Sequence, residues 1–115
     1  MKTALIGLHD EQLLSVVSTV ARIRGYDLRI VRSIAEVLTE TNSNNYDRYL
    51  MDINLGSPGK MIIRAKEVYE LIQNKYGNAK ERFIGISGHS EIVRAGILAG
   101  VPCEFKPFNL LRFLS

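Results

Sequence analysis

An aspartate inside an apolar run is the residue of this chain best placed to do chemistry. Asp52 lies within the run from Tyr49 to Ile53, and a loop from Asn54 to Gly59 follows. Such a run indicates a buried strand, where a carboxylate costs several kcal/mol unless a cation or hydrogen bonds stabilise it. The carboxyl ends of strands in an α/β sheet are also where ligands bind. Asp52 therefore needs neighbours that offset its charge, and it stands where a ligand would meet it.

Three other apolar runs lead into polar residues that suit one kind of chemistry. Asp10 follows the first run, Ser87 ends a later one, and Lys106 follows the last. Two carboxylates and a backbone carbonyl oxygen make a site for Mg²⁺, which commonly binds a phosphate at the same time. An ionised aspartate can attack phosphorus, while a hydroxyl and a lysine stabilise the phosphoryl oxygens. The set favours phosphoryl transfer.

The elements that must position these residues alternate along the chain. Apolar runs predict strands at Thr3–Leu8, Asp27–Val31, Arg48–Ile53, Arg82–Ser87 and Pro102–Phe105. Helical spacing and caps predict helices at Glu11–Arg24, from Ser33 through Leu38, at Lys60–Tyr76, Glu91–Ala99 and Pro107–Leu114. This alternation predicts a parallel sheet covered on both faces. The expected fold class is α/β, a doubly wound five-stranded parallel sheet with flavodoxin-like strand order 2-1-3-4-5.

Length and composition limit the other possibilities. The 115 residues fit one domain, 1–115, with one core. The formal charge is +3, but the basic residues are scattered, so we expect no direct nucleic-acid partner. The single cysteine, Cys103, excludes an internal disulfide and fits a reducing compartment. We see no membrane-spanning stretch and no signal peptide, and we expect no membrane partner and a cytoplasmic location.

Four motifs at the predicted strand ends resemble those of response-regulator receiver domains of bacterial two-component signalling. They are Leu8-His9-Asp10-Glu11, Met51-Asp52-Ile53-Asn54-Leu55, Ile86-Ser87-Gly88-His89 and Phe105-Lys106-Pro107-Phe108. Each motif is weak by itself. Their order and their places at the ends of successive strands make the resemblance specific, and it extends over nearly the whole chain.

The resemblance implies a role for each matching residue. Asp52 would be the phospho-acceptor that takes a phosphoryl group from a histidine kinase, with Ser87 and Lys106 contacting the phosphoryl oxygens. Asp10 and Asp52, with the backbone carbonyl of Asn54, would ligate Mg²⁺. The implied partners are a histidine kinase or phosphotransfer protein, and a downstream protein or fused output domain. Such a domain is a switch and not an enzyme, apart from self-catalysed phosphoryl transfer and autodephosphorylation.

Three features depart from the family pattern: the loop after Asp52, where Gly56 and Lys60 occupy positions in which the family often has proline and glycine, and two single residues. His9 stands where the family usually has a second acid, so we expect weaker Mg²⁺ binding that Asp10 still permits. Glu11 is a candidate to supply part of the missing charge. Cys103 stands where the family commonly has an aromatic switch residue, and the residue that replaces this switch is open, with Phe105 and Tyr49 as the candidates.

Simpler structural roles compete with the functional ones. Asp52 and Ser87 have the residue types of helix or turn caps, Asp10 suits the N-cap of the first helix, and Lys106 suits a surface lysine. His9 and His89 fit exposed loop positions better than a zinc site, because no third histidine or further cysteine accompanies them.

Three other functions are compatible with parts of the sequence. A receiver-like protein-binding module that needs no phosphorylation is the main alternative. An aspartate-based phosphatase requires a second aspartate where this chain has Asn54. A nucleotide-binding fold of Rossmann type requires further glycines beside Gly7.

Overall fold

Five parallel strands form one sheet in the order 2-1-3-4-5, which confirms the predicted fold class. The computed structural model describes residues 2–53, 55, 63–106 and 110–114. The strands are β1 Lys2–Gly7, β2 Tyr26–Val31, β3 Arg48–Asp52, β4 Phe83–Ser87 and β5 Cys103–Phe105. The helices in these residues are α1 Glu11–Ile23, α2 Ile34–Ser43, α3 Ile63–Lys75, α4 Ala79–Arg82, α5 Ser90–Leu98 and α6 Leu110–Phe113.

Alternation along the central strands builds a core on each face of the sheet. Tyr49 and Met51 of β3 belong to one cluster, which includes buried residues of α2, α3 and α5. Leu50, between them, belongs to the other cluster with buried residues of α1. Successive side chains of a strand point to opposite faces, so a strand buried on both faces is apolar throughout. The run before Asp52 is apolar for this reason.

Side chains cap the first two helices as the sequence predicts. Asp10 Oδ1 accepts from the amides of Gln12 at 3.0 Å and Leu13 at 3.2 Å, which fixes the start of α1. At α2, Ser33 Oγ accepts from the amide of Glu36 at 3.2 Å. These bonds satisfy amides that have no partner within the helix. The cap on α1 also sets the direction of the chain directly after β1, where the candidate site begins.

The helix α4 is the element that the sequence patterns do not predict. Gly77 and Asn78 end α3 with positive φ angles of 79° and 55°, as their residue types indicate. The chain then makes one helical turn before β4, held by Ala79, which is fully buried. Its amide donates to Gln73 Oε1 at 3.1 Å. A single turn has too few residues to produce a helical period in the sequence.

Two glycines allow the segment around Asp52 to pack closely on the sheet. A Cβ atom on Gly7 would lie 2.9 Å from Leu55 Cδ2, and one on Gly85 would lie 2.9 Å from Ile53 Cγ1. Ile53 and Leu55 are both 1% exposed. The absence of a side chain at one position of β1 and one of β4 therefore makes room for the residues that follow β3.

Within the described ranges, no helix has both the length and the apolar character to cross a membrane.

Candidate functional site at the carboxyl ends of the strands

Asp52 ends the central strand β3 with its side chain buried. The residue is 1% exposed, and it lies in register with Ile86 of β4. The chain turns at once, because the amide of Leu55 donates to the carbonyl oxygen of Asp52 at 3.2 Å. The sheet thus places a buried carboxylate at the edge where its strands end.

Nitrogen groups contact both oxygens of the Asp52 carboxylate. The His9 backbone amide donates to Oδ2 at 2.9 Å, and His9 Nδ1 lies 2.5 Å from the same oxygen. Lys106 Nζ lies 2.8 Å from Oδ1. The lysine contact is an ion pair without hydrogen-bond alignment, so no donor in the described ranges is directed at the buried Oδ1. These groups offset the cost of burying the carboxylate.

Lys106 reaches Asp52 from the end of β5. Its backbone amide donates to the carbonyl oxygen of Ser87 at 2.9 Å, which extends the pairing of β4 with β5. Its side chain is 22% exposed, so the ammonium group lies between the carboxylate and the solvent. The predicted meeting of Asp52 and Lys106 at one edge is therefore present in the structure.

Ser87 ends β4 in the same part of the site, and it is 2% exposed. Its hydroxyl accepts from the amide of His89 at 3.1 Å and so caps the turn into α5. This is the simpler role that its residue type suggests. A hydroxyl that accepts one hydrogen bond can still donate its proton to another group. The cap is thus compatible with a second role toward a phosphoryl oxygen.

His9 is the residue whose contact the sequence patterns do not predict. Its side chain is half exposed, yet the ring and the backbone amide converge on one oxygen of Asp52. The signal in the sequence is the position of His9 directly after the first strand, together with the need of Asp52 for a compensating group. The expectation of an exposed loop residue accounts for the exposure and misses the contact.

Asp10 and Glu11 point to other partners. Asp10 is exposed, and one of its oxygens accepts two amides of α1. Glu11 forms an ion pair with Arg32, and its hydrogen bond to the guanidinium group raises the pKa of Arg32 above its usual value. Neither acid forms a hydrogen bond or an ion pair with Asp52 in the described part of the chain. Of the residues that follow β1, it is therefore His9, and not an acid, that contacts Asp52.

The described residues contain no cluster of three or more histidine, cysteine, aspartate or glutamate side chains that could hold a metal ion. Asn54, the third predicted ligand, lies outside the described residues. The predicted set of Asp10, Asp52 and Asn54 therefore stays a prediction.

Cys103 lies in the core beside the site and takes no part in it. The thiol is buried in the cluster that contains Phe83 and Ile53. Burial raises the pKa of the Cys103 thiol to about 11, so the group is uncharged at neutral pH. Phe105, two residues further along β5, is half exposed. β5 thus carries its aromatic residue, Phe105, near the surface, and the buried position is filled by Cys103.

Comparison with solved structures matches almost the whole chain to receiver domains. A CheY-like response regulator receiver domain from Methanospirillum hungatei shares 20% identity at a TM-score of 0.71, covering 99% of this chain and 88% of the other. The receiver domain of the sensor histidine kinase PA1611 from Pseudomonas aeruginosa, with a magnesium ion coordinated in its active-site cleft, shares 18% identity. Its TM-score is 0.70, with 98% of this chain and 97% of that chain covered.

The response regulator TrrA from Thermotoga maritima, in complex with Mg²⁺ and BeF, matches at 24% identity and a TM-score of 0.67. The match covers 95% of this chain and 90% of the other. No protein-family model matches the sequence, and no curated protein matches it significantly. At these identities the likeness concerns the fold. The chain therefore has the fold of response-regulator receiver domains, over nearly its full length.

Proposed function

We propose that residues 1–115 form one phospho-accepting receiver domain, in which Asp52 takes a phosphoryl group from a histidine kinase or phosphotransfer protein. The observation that carries the proposal is the buried Asp52 carboxylate with Lys106 Nζ 2.8 Å from its Oδ1. In the transfer, the phosphorus–nitrogen bond of the donor's phosphohistidine breaks and a bond from phosphorus to an Asp52 oxygen forms. The donor imidazole is the leaving group.

Lys106 and Ser87 suit the charge that this step brings into the site. A phosphoryl group adds a charge of about −1.5 to −2, by analogy with other phosphorylated side chains. Lys106 already lies at the carboxylate, and Ser87 Oγ lies at the end of the neighbouring strand. A fixed ammonium group and a hydroxyl donor stabilise phosphoryl oxygens without reorganising during the reaction.

The oxygen donors near Asp52 fit Mg²⁺ in kind. The carboxylate of Asp52 is buried, its Oδ1 meets no hydrogen-bond donor within the described ranges, and carboxylate oxygens are the ligands that Mg²⁺ prefers. Asp10, Asp52 and the backbone carbonyl of Asn54 would hold the ion. When bound, it would neutralise charge on the phosphoryl oxygens. Receiver domains of similar fold, including the PA1611 domain, bind a magnesium ion in the active-site cleft.

The modified site would alter contact with a downstream protein or output domain. Drawing Lys106 toward a phosphoryl group would pull on the end of β5, where Phe105 is half exposed. A ligand or modification that favours one of two conformations shifts their populations. We place the chain in the cytoplasm, as a switch and not as an enzyme that turns over a substrate.

The test is incubation with acetyl phosphate and Mg²⁺, followed by intact-mass measurement. The wild-type chain is expected to gain the mass of one phosphoryl group, and Asp52→Asn is expected to gain none. A wild-type chain that stays unmodified, beside an active receiver treated identically, would overturn the proposal.

One observation favours the second candidate, a receiver-like binding module that needs no phosphorylation. His9 and Lys106 already contact both oxygens of Asp52 in the unmodified chain. This alternative expects no phosphoryl gain in the wild type, and a gain there counts against it. A gain confined to His9→Asp, which restores an acid beside Asp10, would support it, because uptake would then be blocked by His9.

A further inference from the structure

The His9 side chain occupies a position at Asp52 that a metal ion would need. Two nitrogens of this one residue contact Oδ2: the backbone amide donates to it at 2.9 Å, and Nδ1 of the ring lies 2.5 Å from it. The ring therefore stands against the same oxygen that the amide binds. Oδ1 has Lys106 Nζ at 2.8 Å. A divalent cation therefore meets a nitrogen group at either oxygen.

The two nitrogen groups of His9 differ in how readily they can move away from Oδ2. The backbone amide of His9 is fixed by the chain between β1 and α1, whose first turn is capped by Asp10. The imidazole is half exposed, and rotation about its side-chain torsions carries it into solvent without moving the backbone. Mg²⁺ binds carboxylate oxygens at about 2.0 to 2.1 Å, so on the side of Oδ2 where Nδ1 lies at 2.5 Å it would overlap the ring.

We infer that the His9 imidazole is a built-in competitor of a divalent cation for Oδ2 of Asp52, and that cation binding requires the ring to swing out. The inference rests on the proposed function, which places the cation at Asp52 and assigns Lys106, at Oδ1, to the phosphoryl oxygens, so that Oδ2 is left for the cation. It differs from the simpler view that His9 only removes a negative charge. In that view the ring itself does not affect cation binding, whereas here the ring occupies the place at Oδ2 that the cation needs.

His9→Ala separates the two explanations, because it removes the ring and adds no acid. The backbone amide still donates to Oδ2 in this variant. Competition predicts that His9→Ala binds Mg²⁺ about tenfold or more tightly than the wild type, since loading the wild-type site breaks the contact of the ring with a charged oxygen. A missing charge alone predicts equal affinity. His89→Ala is the matched control, since the His89 side chain forms no hydrogen bond or ion pair with Asp52 in the part of the chain that is described.

The experiment is titration of each full chain with Mg²⁺ at one fixed pH, by calorimetry and by amide NMR shifts of Asp52 and Ser87. Asp52→Asn locates the site, and its loss of binding is expected. Phosphoryl uptake is measured separately by intact mass, so a chain that binds Mg²⁺ competitively without accepting a phosphoryl group would refute the proposed function alone. Equal Mg²⁺ affinity in His9→Ala and the wild type, or no Mg²⁺ binding in either, would overturn the competition.

A second readout uses the wild-type chain and does not depend on the folding of a variant. Ring ¹⁵N shifts distinguish an Nδ1 in contact with a carboxylate from a free one. Saturating Mg²⁺ is expected to move the His9 ring shifts to those of a free imidazole and to leave His89 unchanged. A His9 ring that stays bonded to Asp52 at saturation would contradict the inference.

Discussion

The carbonyl oxygen of Ser87 accepts a hydrogen bond from the backbone amide of Lys106 at 2.9 Å. This bond joins the ends of β4 and β5 and fixes the point from which Lys106 reaches Asp52. The lysine is therefore positioned by the sheet itself, while its side chain supplies the charge that the carboxylate at the neighbouring strand end requires. The backbone of Lys106 thus fixes its position, and its side chain supplies the positive charge.

Lys106→Ala is expected to lower the free energy of unfolding by about 1 to 3 kcal/mol and to abolish phosphoryl uptake. Loss of one partner leaves the buried carboxylate short of a cation, and the cost falls below that of a fully buried pair because Lys106 is 22% exposed. Urea denaturation and intact mass measure the two effects. Lys80→Ala, an exposed lysine in α4, is the control and is expected to match the wild type. Equal stability of both variants would show that the ion pair contributes little.

Asp10 combines two roles that two substitutions can separate. Asp10→Ala removes the cap on α1 and is expected to destabilise the chain by about 1 kcal/mol, whereas Asp10→Asn keeps a capping oxygen and is expected to retain nearly full stability. Both are expected to weaken Mg²⁺ binding, because neither retains the carboxylate charge. Thermal unfolding and calorimetry make the comparison. Undiminished Mg²⁺ affinity in Asp10→Asn would remove Asp10 from the metal site.

Gly85→Ala is expected to disturb the site through packing. The new Cβ would lie 2.9 Å from Ile53 Cγ1, next to Asp52 in the chain, and overpacking of this kind costs about 1 to 3 kcal/mol. Phosphoryl uptake is expected to slow in parallel. Gly88→Ala is the matched control, since no atom of the described residues lies within 4 Å of its added Cβ. If the two variants were equally stable by urea denaturation, the close packing of Ile53 on β4 would be wrong.

The buried thiol of Cys103 is expected to make the free energy of unfolding fall as the pH rises into the alkaline range. Burial raises the thiol pKa from 9.0 to about 11, so the folded chain holds its proton more tightly than the unfolded chain. This contribution is complete below pH 9.0 and is lost as the pH rises toward 11, with a slope of up to about 1.4 kcal/mol per pH unit.

The measurement for Cys103 compares the slope of unfolding free energy against pH in the wild type and in Cys103→Ala. Tyr49, whose pKa is also raised by burial, affects both chains equally, so the difference in slope isolates the thiol. The wild type is expected to lose stability more steeply between pH 9 and 11. Parallel curves would show that the thiol is not buried.

The sequence predicts most of the fold because the patterns that it carries are local and periodic. Apolar runs locate all five strands, and the capping residues Asp10 and Ser33 locate two helix starts to the residue. The helix α4 escapes prediction because a single turn produces no period and is held by a buried Ala79 and by the side chain of Gln73.

The site is predictable in its location and less so in its contacts. The parallel sheet brings Asp52 and Lys106 together, because strand ends share one edge. The contact of His9 with Asp52 depends on the direction of one side chain after β1, which no residue pattern specifies. The same limit applies to Asp10, whose carboxylate could serve the helix or the site, and which caps α1 in the structure.

The central claim is that the phosphoryl group resides on Asp52, and the sequence makes its position directly measurable. After treatment with acetyl phosphate, borohydride reduces an aspartyl phosphate to homoserine, and trypsin then releases the peptide 49–60, in which Asp52 is the single acidic side chain. His9, Asp10 and Glu11 fall in a different peptide, 3–22. We predict the reduced residue in peptide 49–60, and its absence there, or a modification confined to peptide 3–22, would contradict the account.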